Sequence, residues 1–426
     1  MNSKIKDLIV KSESGMYGLS VSAEEYAPNK IRFLRISDID DKGNIINVDK
    51  KYVSGKNINQ YLLKDNDLVV ARTGNSTGRV YMYSSKDGQM VFAGFLIKYV
   101  FDKNKINPRY LKYYCQSELY RKQIKSFSGS TRGNMNAQDF LGVLVYYPER
   151  KVQDKLVKLF DFITNKIELN NKINDELEAM AKTIYDYWFL QFEFPNEEGK
   201  PYKSSGGKMV WNEVLKREIP EGWEVNKLEE YISIIRGVNY KRDDVLSNKE
   251  TNYIPLIKSN NIQNGQILFD DIIFVPQKLV NKNQILSKNS VLMTMSSGSK
   301  EHMGKTTIIY DSLDYTFGAF CSKIEIIEDM RCFLSIFFRS ALFKTLIDNI
   351  TSGTNINNIS NEHLYNIKMT IPNEKVLQKF EDILNPILDK QGIIQKENQE
   401  LTSLRDFLLP LLMNGQVGFK EDKAEG

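Results

Sequence analysis

The sequence predicts an α+β fold: two mixed α/β domains with pseudo-two-fold symmetry, separated by two long antiparallel coiled-coil helices. Three observations predict it. The chain repeats itself at an offset of about 224 residues, each copy closes on a heptad-patterned stretch, and a turn-rich connector joins the copies. At 426 residues the chain is also too long for one ordinary domain and sufficient for two.

The repeat comes first. Gly129-Ser130-Thr131 aligns with Gly353-Thr354-Asn355, and the alignment then runs without a gap for roughly sixty residues. Within it Asn134 meets Asn358, Phe140 meets Leu364, Pro148 meets Pro372, Lys151-Val152 meets Lys375-Val376 and Glu176-Leu177 meets Glu400-Leu401. Upstream, with small gaps, Leu34–Ile39 resembles Ile257–Ile262, Asp67–Val70 resembles Ser290–Met293, and Phe92–Phe95 resembles Phe317–Phe320. A period this long marks a duplicated domain rather than a solenoid. The heads, 1–148 and 223–371, read as short strands such as Asp67–Ala71 and Ser290–Met295 between Gly/Asn/Ser turns.

Beyond Pro148 the pattern changes to period seven. Leu156, Ile163, Asn170, Leu177 and Ile184 form one row, and Val152, Leu159, Lys166, Ile173, Met180 and Tyr187 a second. In the other copy the row is Phe380, Ile387, Ile394, Leu401 and Leu408. Polar Asn170, Lys166 and Lys390 interrupt these rows, either as residues that fix register or as weak points. The helices are expected over 149–192 and 372–414, with a C-terminal tail over 415–426. An interior proline costs about 3 kcal/mol. The second helix is therefore expected to bend or break near Pro386, with Gly392 close by. The connector, 193–222, contains Pro195, Gly199, Pro201, Gly206 and Gly207 and reads as a linker that lets the two helices pack antiparallel.

Composition narrows the function. No apolar run approaches the roughly 18–20 residues that cross a bilayer, and the N-terminus lacks a signal-peptide core. A cytoplasmic protein with no membrane partner is expected. Cys115, Cys321 and Cys332 form no CxxC pair, and with only two histidines they suggest neither disulfides nor zinc. Residues 1–148 carry 23 Lys and Arg against 14 Asp and Glu, whereas residues 223–371 carry 16 against 16. A nucleic-acid partner would thus meet a basic first head but only a local basic patch on the second.

The chain lacks the motifs of chemistry. There is no Pro-Pro pair of the kind an amino-methyltransferase uses, no GxxxxGK[ST] nucleotide loop, and no paired carboxylates with a lysine arranged as in nucleases. No catalytic residue, metal or cofactor is expected. His302 and His363 have no matched partner in the other copy and read as surface or loop residues.

Candidate DNA contacts lie on loops. Arg72-Thr73-Gly74-Asn75-Ser76-Thr77-Gly78-Arg79 follows a strand, and its small residues allow close backbone approach. Its arginines can grip guanine O6 and N7 together, while Asn suits adenine. The expected contacts there are Arg72, Thr73, Asn75, Ser76, Thr77 and Arg79. The equivalent stretch of the second copy offers Ser296, Ser297, Ser299, Lys300 and Lys305. A second loop offers Ser130, Arg132 and Asn134, matched by Thr354, Asn355 and Asn357. Such loops are also common plain turns; their recurrence at equivalent points of both heads favours DNA. Arg35 and Lys258, on aligned positions, suit phosphate contacts or a solvated surface equally.

The run Pro201-Tyr202-Lys203-Ser204-Ser205-Gly206-Gly207, leading through Ile219-Pro220-Glu221-Gly222-Trp223 into the second head, resembles the central connector of the specificity subunits of type I restriction-modification systems. The order of parts over essentially the whole chain is similar to that family too. The sequence departs from it at the front, where no Pro-Glu-Gly-Trp run precedes the first head. The resemblance implies two target-recognition domains that each read one half of a split, asymmetric target in double-stranded DNA, with the helices as a ruler between them. It further implies two methyltransferase (modification) subunits docked on this chain, joined by restriction/translocase subunits. Two other readings stay open: a coiled-coil scaffold joining two protein-binding heads, and the recognition arm of a combined restriction-methylation enzyme.

Overall fold

The structure, a computed structural model, describes residues 1–47, 49–55, 57–127, 134–352 and 358–418. It forms two compact units: Met1–Glu168 together with the segment from Asn398 onward, and Leu169–Glu397.

The first unit is built around the strand Leu68–Ala71, an apolar run buried on both sides. Side chains alternate across a strand, so Leu68 and Val70 enter a core with Tyr99, Tyr110 and Phe140, while Val69 and Ala71 enter another with Leu34, Phe92 and Leu96. A four-stranded sheet runs in the order Met16–Tyr17, Leu96–Tyr99, Leu68–Ala71, Val80–Met82. A three-stranded sheet runs Lys51–Val53, Ile31–Leu34, Met90–Phe92, the last pair parallel. Asn2–Lys4 pairs antiparallel with Leu144–Tyr146 and closes the head.

The second unit repeats this order strand for strand. Ile232–Arg236, Cys321–Ile326, Ser290–Thr294 and Thr306–Ile309 make its four-stranded sheet. Ile273–Pro276, Tyr253–Ile257 and Thr316–Phe317 make its three-stranded sheet, again with a parallel last pair. Glu224–Lys227 pairs with Lys368–Ile371 as Asn2–Lys4 does with Leu144–Tyr146. The first head thus has its opening strand without the Pro-Glu-Gly-Trp run, and the duplication read from the sequence is a duplication of topology.

Long helices span Arg150–Tyr185, continued by a π-turn over Asp186–Leu190, and Glu374–Met413. Within the second unit they pack antiparallel. Asn170 meets Glu397, Gln391 reaches the Asn174 carbonyl, and Tyr185 and Trp188 pack on Phe380, so numbers rise along one helix as they fall along the other. Within the first unit Leu156, Val157 and Phe160 share a core with Leu409 and Met413.

Three expectations about this region need correction. The first row, through Leu156, Ile163 and Asn170, is buried, but the second lies one residue away from the one read: Phe160, Asn174, Ala181 and Trp188 are buried, while Met180 and Tyr187 are exposed. Polar Asn174 and small Ala181 carry no hydrophobic signal, so the pattern was drawn to their larger neighbours. Lys390 likewise lies outside the seam, exposed.

The second helix also runs as one element through Pro386 and Gly392, so of the expected bend or break the break does not occur. Pro386 is exposed, and so is Asp382, whose carbonyl loses its helical partner; water can take that bond while Leu384 and Leu388 hold the buried face. Gly392 is required by packing, since a Cβ there would lie 2.8 Å from Cβ of Tyr310 in the second head.

Nor is the connector an open linker. Met209–Asn212 and Arg217–Pro220 form a hairpin, and Phe194 stacks on Tyr202 and Trp223 at ring distances of 4.5 and 5.0 Å. Its aromatics, at uneven spacing, build a core that turn-residue composition conceals.

Candidate nucleic-acid interface

In the first head the loop 72–79 leaves the central strand through a short 3-10 turn, Gly74–Ser76, and is pinned at its base. The Ala71 amide donates to the Arg79 carbonyl and the Gly78 amide to the Ala71 carbonyl, both at 2.8 Å. Gly78 has φ +84°, and a Cβ there would lie 2.5 Å from Ile124 Cγ2, so only glycine fits this close turn. The second head uses the same clamp on a loop three residues longer. Thr294 donates to the Lys305 carbonyl at 2.9 Å and Gly304 to the Thr294 carbonyl at 3.0 Å. Gly304, at φ +71°, sits against Ile347.

The fold brings the two candidate loops of each head side by side. Thr73 bridges to Asn134, and the Met135 amide donates to the Arg72 carbonyl at 2.8 Å. Ser296 bridges to Asn358, and the Ile359 amide donates to the Met295 carbonyl at 2.7 Å. Segments about sixty residues apart in sequence therefore meet at one edge, in the same way twice. Ser130, Arg132, Thr354, Asn355 and Asn357 lie outside the described residues.

The predicted site residues sort by what already holds them. Asn75 is exposed, Thr73, Ser76 and Thr77 are partly so, and the Thr77 hydroxyl donates to the Gly74 carbonyl at 2.8 Å. Arg79 is bound at 2.6 Å to Asp41. Arg35 pairs with Asp38 at 2.7 Å and Asp49 at 3.3 Å, and the bonds to Asp38 raise its already high pKa. Asp38 is buried, so this cation also serves the fold. Lys258, half-buried, has no such acid beside it among the described residues: the residue matching Asp38 is Asn261, which donates to the carbonyls of Leu268 and Asp270 instead.

On the second head Lys300 is exposed, Ser297 Oγ accepts from the Ser299 amide at 3.3 Å, and Ser296 is partly exposed. Lys305 Nζ lies 2.7 Å from His302 Nδ1. His302 and His363 are both exposed. Among the described residues no group of three His, Cys, Asp or Glu could hold a metal, and no helix is long and apolar enough to cross a membrane.

Residue-type reasoning missed the aromatic groups beside these loops. Phe95, 55% exposed, accepts a backbone bond from Arg72, and Phe320, 64% exposed, accepts one from Met295. The signal was in the aligned Phe92–Phe95 and Phe317–Phe320 segments, read only as evidence of repeat.

Two heads of one topology, each carrying a paired polar loop at the same edge and each followed by a long helix, define a duplicated two-head protein. The chain belongs to the type I restriction modification DNA specificity domain family, whose sequence model matches residues 1–179 and 220–403. It is 31% identical over 205 residues to the type I restriction enzyme EcoKI specificity subunit of Escherichia coli (strain K12), covering 47% of this chain. The chain spans only 44% of the length of that relative, and 44% of the StySPI specificity subunit of Salmonella potsdam. It is 24% identical over 432 residues to the MjaIX specificity subunit of Methanocaldococcus jannaschii, covering 98% of this chain and 93% of that one. Among solved structures, the S subunit of the type I restriction-modification system from M. genitalium is similar in fold, with a TM-score of 0.52 at 15% identity over 97% of this chain and 95% of that one.

Proposed function

We propose that this chain is the non-catalytic, cytoplasmic DNA-reading subunit of a type I restriction-modification complex. Its heads, 1–148 and 223–371, each read one half of a split asymmetric target in double-stranded DNA. Two methyltransferase subunits dock along the long helices, and restriction/translocase subunits complete the assembly. One observation carries this reading: the fold joins two separate polar loops at one edge of a head, and does so at equivalent positions in both heads. Arg72, Thr73, Asn75, Ser76, Thr77 and Asn134 make the first face, with Ser296, Ser297, Ser299, Lys300 and Lys305 on the second. Ser130, Arg132, Thr354, Asn355 and Asn357 belong to the same loops by sequence.

The heads match in topology but not in loop length or charge, so the two half-sites should differ. The decisive experiment maps methylated bases across the genome with and without this gene, in a strain expressing the partner subunits. Loss of one split motif is expected. An unchanged methylation pattern would overturn the reading. DNA affinity of the complex should also fall steeply with salt, because phosphate contacts release counterions; a scaffold for protein-binding heads would show no such dependence.

A further inference from the structure

The cations on the first head's loop edge are not equivalent. Arg35 is held by Asp38 and Asp49, and Arg79 by Asp41. Arg72 has no acid within ion-pair distance among the described residues. Its Nε donates to the Gly94 carbonyl at 3.3 Å, and Nη1 and Nη2 have no hydrogen-bond partner among the described residues. Its guanidinium carbon lies 5.2 Å from the ring centre of Tyr17 and 5.9 Å from that of Phe95. Tyr17 is 43% exposed and Phe95 55%, so the rings flank the cation without hiding it.

Cation–π contacts of this kind hold a guanidinium in place while leaving its charge uncompensated. A phosphate contact needs only a mobile point charge at about the right distance. A planar fork fixed at three points is suited instead to an acceptor pair of fixed spacing, and in the major groove guanine presents O6 and N7 at that spacing. The second head has dismantled the arrangement. Met295, buried, stands where Arg72 does. Arg236, in the strand matching that of Tyr17, donates to Asn361 Oδ1 at 3.0 Å and the Ile359 carbonyl at 3.2 Å. Phe320 remains exposed, with no cation beside it among the described residues.

We infer that Arg72 reads a guanine in the half-site of the first head, positioned by Tyr17 and Phe95, and that the second head reads no guanine from the equivalent position. This rests on the DNA-reading function proposed above. It makes Arg72 the specificity-determining residue for that base, and Tyr17 and Phe95 its positioning residues.

The test uses the full complex with its modification subunits and reads the methylated motif base by base. A wild-type complex that methylates no split motif would defeat the underlying function before any variant is compared. Given a wild-type motif, Arg72→Met is expected to relax one guanine position of one half-site, with the preference for G falling roughly 10- to 100-fold. The other half-site stays unchanged, which also shows that the protein is folded and assembled. Phe95→Ala and Tyr17→Ala should relax the same position by a smaller factor, and adding Phe95→Ala to Arg72→Met should relax it no further. A uniform fall in methylation with every base preference intact would make Arg72 a phosphate contact and overturn the inference, as would no change. If Arg72→Met abolishes methylation, competition binding of an Arg72→Gln complex, whose amide suits adenine and not guanine, to singly substituted duplexes decides. Relaxation at one guanine supports the inference, and undiminished selectivity at all positions overturns it.

Discussion

The buried side-chain amide of Asn170, on the first long helix, donates to the Glu397 carboxylate on the second at 2.8 Å. It stands in the row of Leu156 and Ile163, where an apolar residue would pack better but would accept several alignments of the partner helix. One turn on, Gln391 donates to the Asn174 carbonyl at 3.3 Å, so two polar contacts in sequence hold one alignment. Asn170→Ala should lower stability by about 1–2 kcal/mol, since it removes a buried donor to a charged acceptor. The double variant Asn170→Leu, Glu397→Leu should recover or exceed wild-type stability at the expense of a unique register. Thermal melting reads the first effect, and crosslinking of cysteine pairs placed along the seam reads the second. A double variant that keeps a single crosslinking register would show that apolar packing alone sets it.

Glu381, on the second long helix, has a comparable role toward the second head. Its carboxylate oxygens accept from the backbone amides of Cys332 and Phe333 at 2.9 Å each, at the start of the helix Arg331–Phe337. Removing it in Glu381→Ala strands two buried amides and should cost about 3 kcal/mol. Burial raises its pKa above the ordinary 4.5, against the opposing pull of those two amides. The folded chain therefore holds this proton more tightly than the unfolded chain. That contribution to stability is complete below 4.5 and is lost as pH rises through the raised folded value. Glu381→Gln, neutral throughout, lacks this loss. The melting temperature of wild type relative to Glu381→Gln should thus fall as pH rises above 4.5, and a difference independent of pH would refute the assignment.

Gly78 and Gly304 close the base of the candidate loops in the two heads, both at positive φ, but the space around them differs. A Cβ on Gly78 would lie 2.5 Å from Ile124 Cγ2, and one on Gly304 would lie 3.0 Å from Ile347 Cγ2. Both alanine variants carry the left-handed backbone penalty of about 1–2 kcal/mol. Gly78→Ala adds a clash with a buried side chain and should be the more destabilising of the two. Adding Ile124→Leu should restore part of the loss in Gly78→Ala, because leucine lacks the Cγ2 branch that makes the shortest contact. Melting of the two singles and the double measures this. A Gly304→Ala at least as damaging as Gly78→Ala would show that backbone strain alone matters.

The duplicated topology was legible because turn glycines, the Asn134 and Asn358 pair and the Pro148 and Pro372 boundary recur at matched spacing, and such residues are dictated by backbone geometry. The second seam row was not legible, because Asn174 and Ala181 are buried by helix geometry and not by hydrophobicity. The continuity through Pro386 was hidden for a related reason: whether a proline breaks a helix depends on whether the freed carbonyl faces water, which composition does not carry. At the loops, residue type located Arg72, Arg79 and Arg35 but could not rank them. What distinguishes them is the company of Asp41, Asp38 and Asp49 against that of Tyr17 and Phe95, and those neighbours come from distant strands.

The long helices keep large apolar side chains in solvent. Phe162, Leu169 and Met180 are exposed on the first and Ile393 and Phe407 on the second. On the first helix the separation of eleven residues between Leu169 and Met180, close to three whole turns, returns these two side chains to one face, away from buried Asn170, Asn174 and Ala181. A stripe of this kind on a helix surface is a mark of association. On the proposed function its occupant is a methyltransferase subunit. Leu169→Ser with Met180→Ser should weaken binding of that subunit by tenfold or more while leaving the melting temperature of the isolated chain unchanged, since neither side chain enters the core. Titration of the purified methyltransferase subunit against wild type and variant measures the first, and calorimetry the second. Equal affinity for the two proteins would place the methyltransferase elsewhere on the chain.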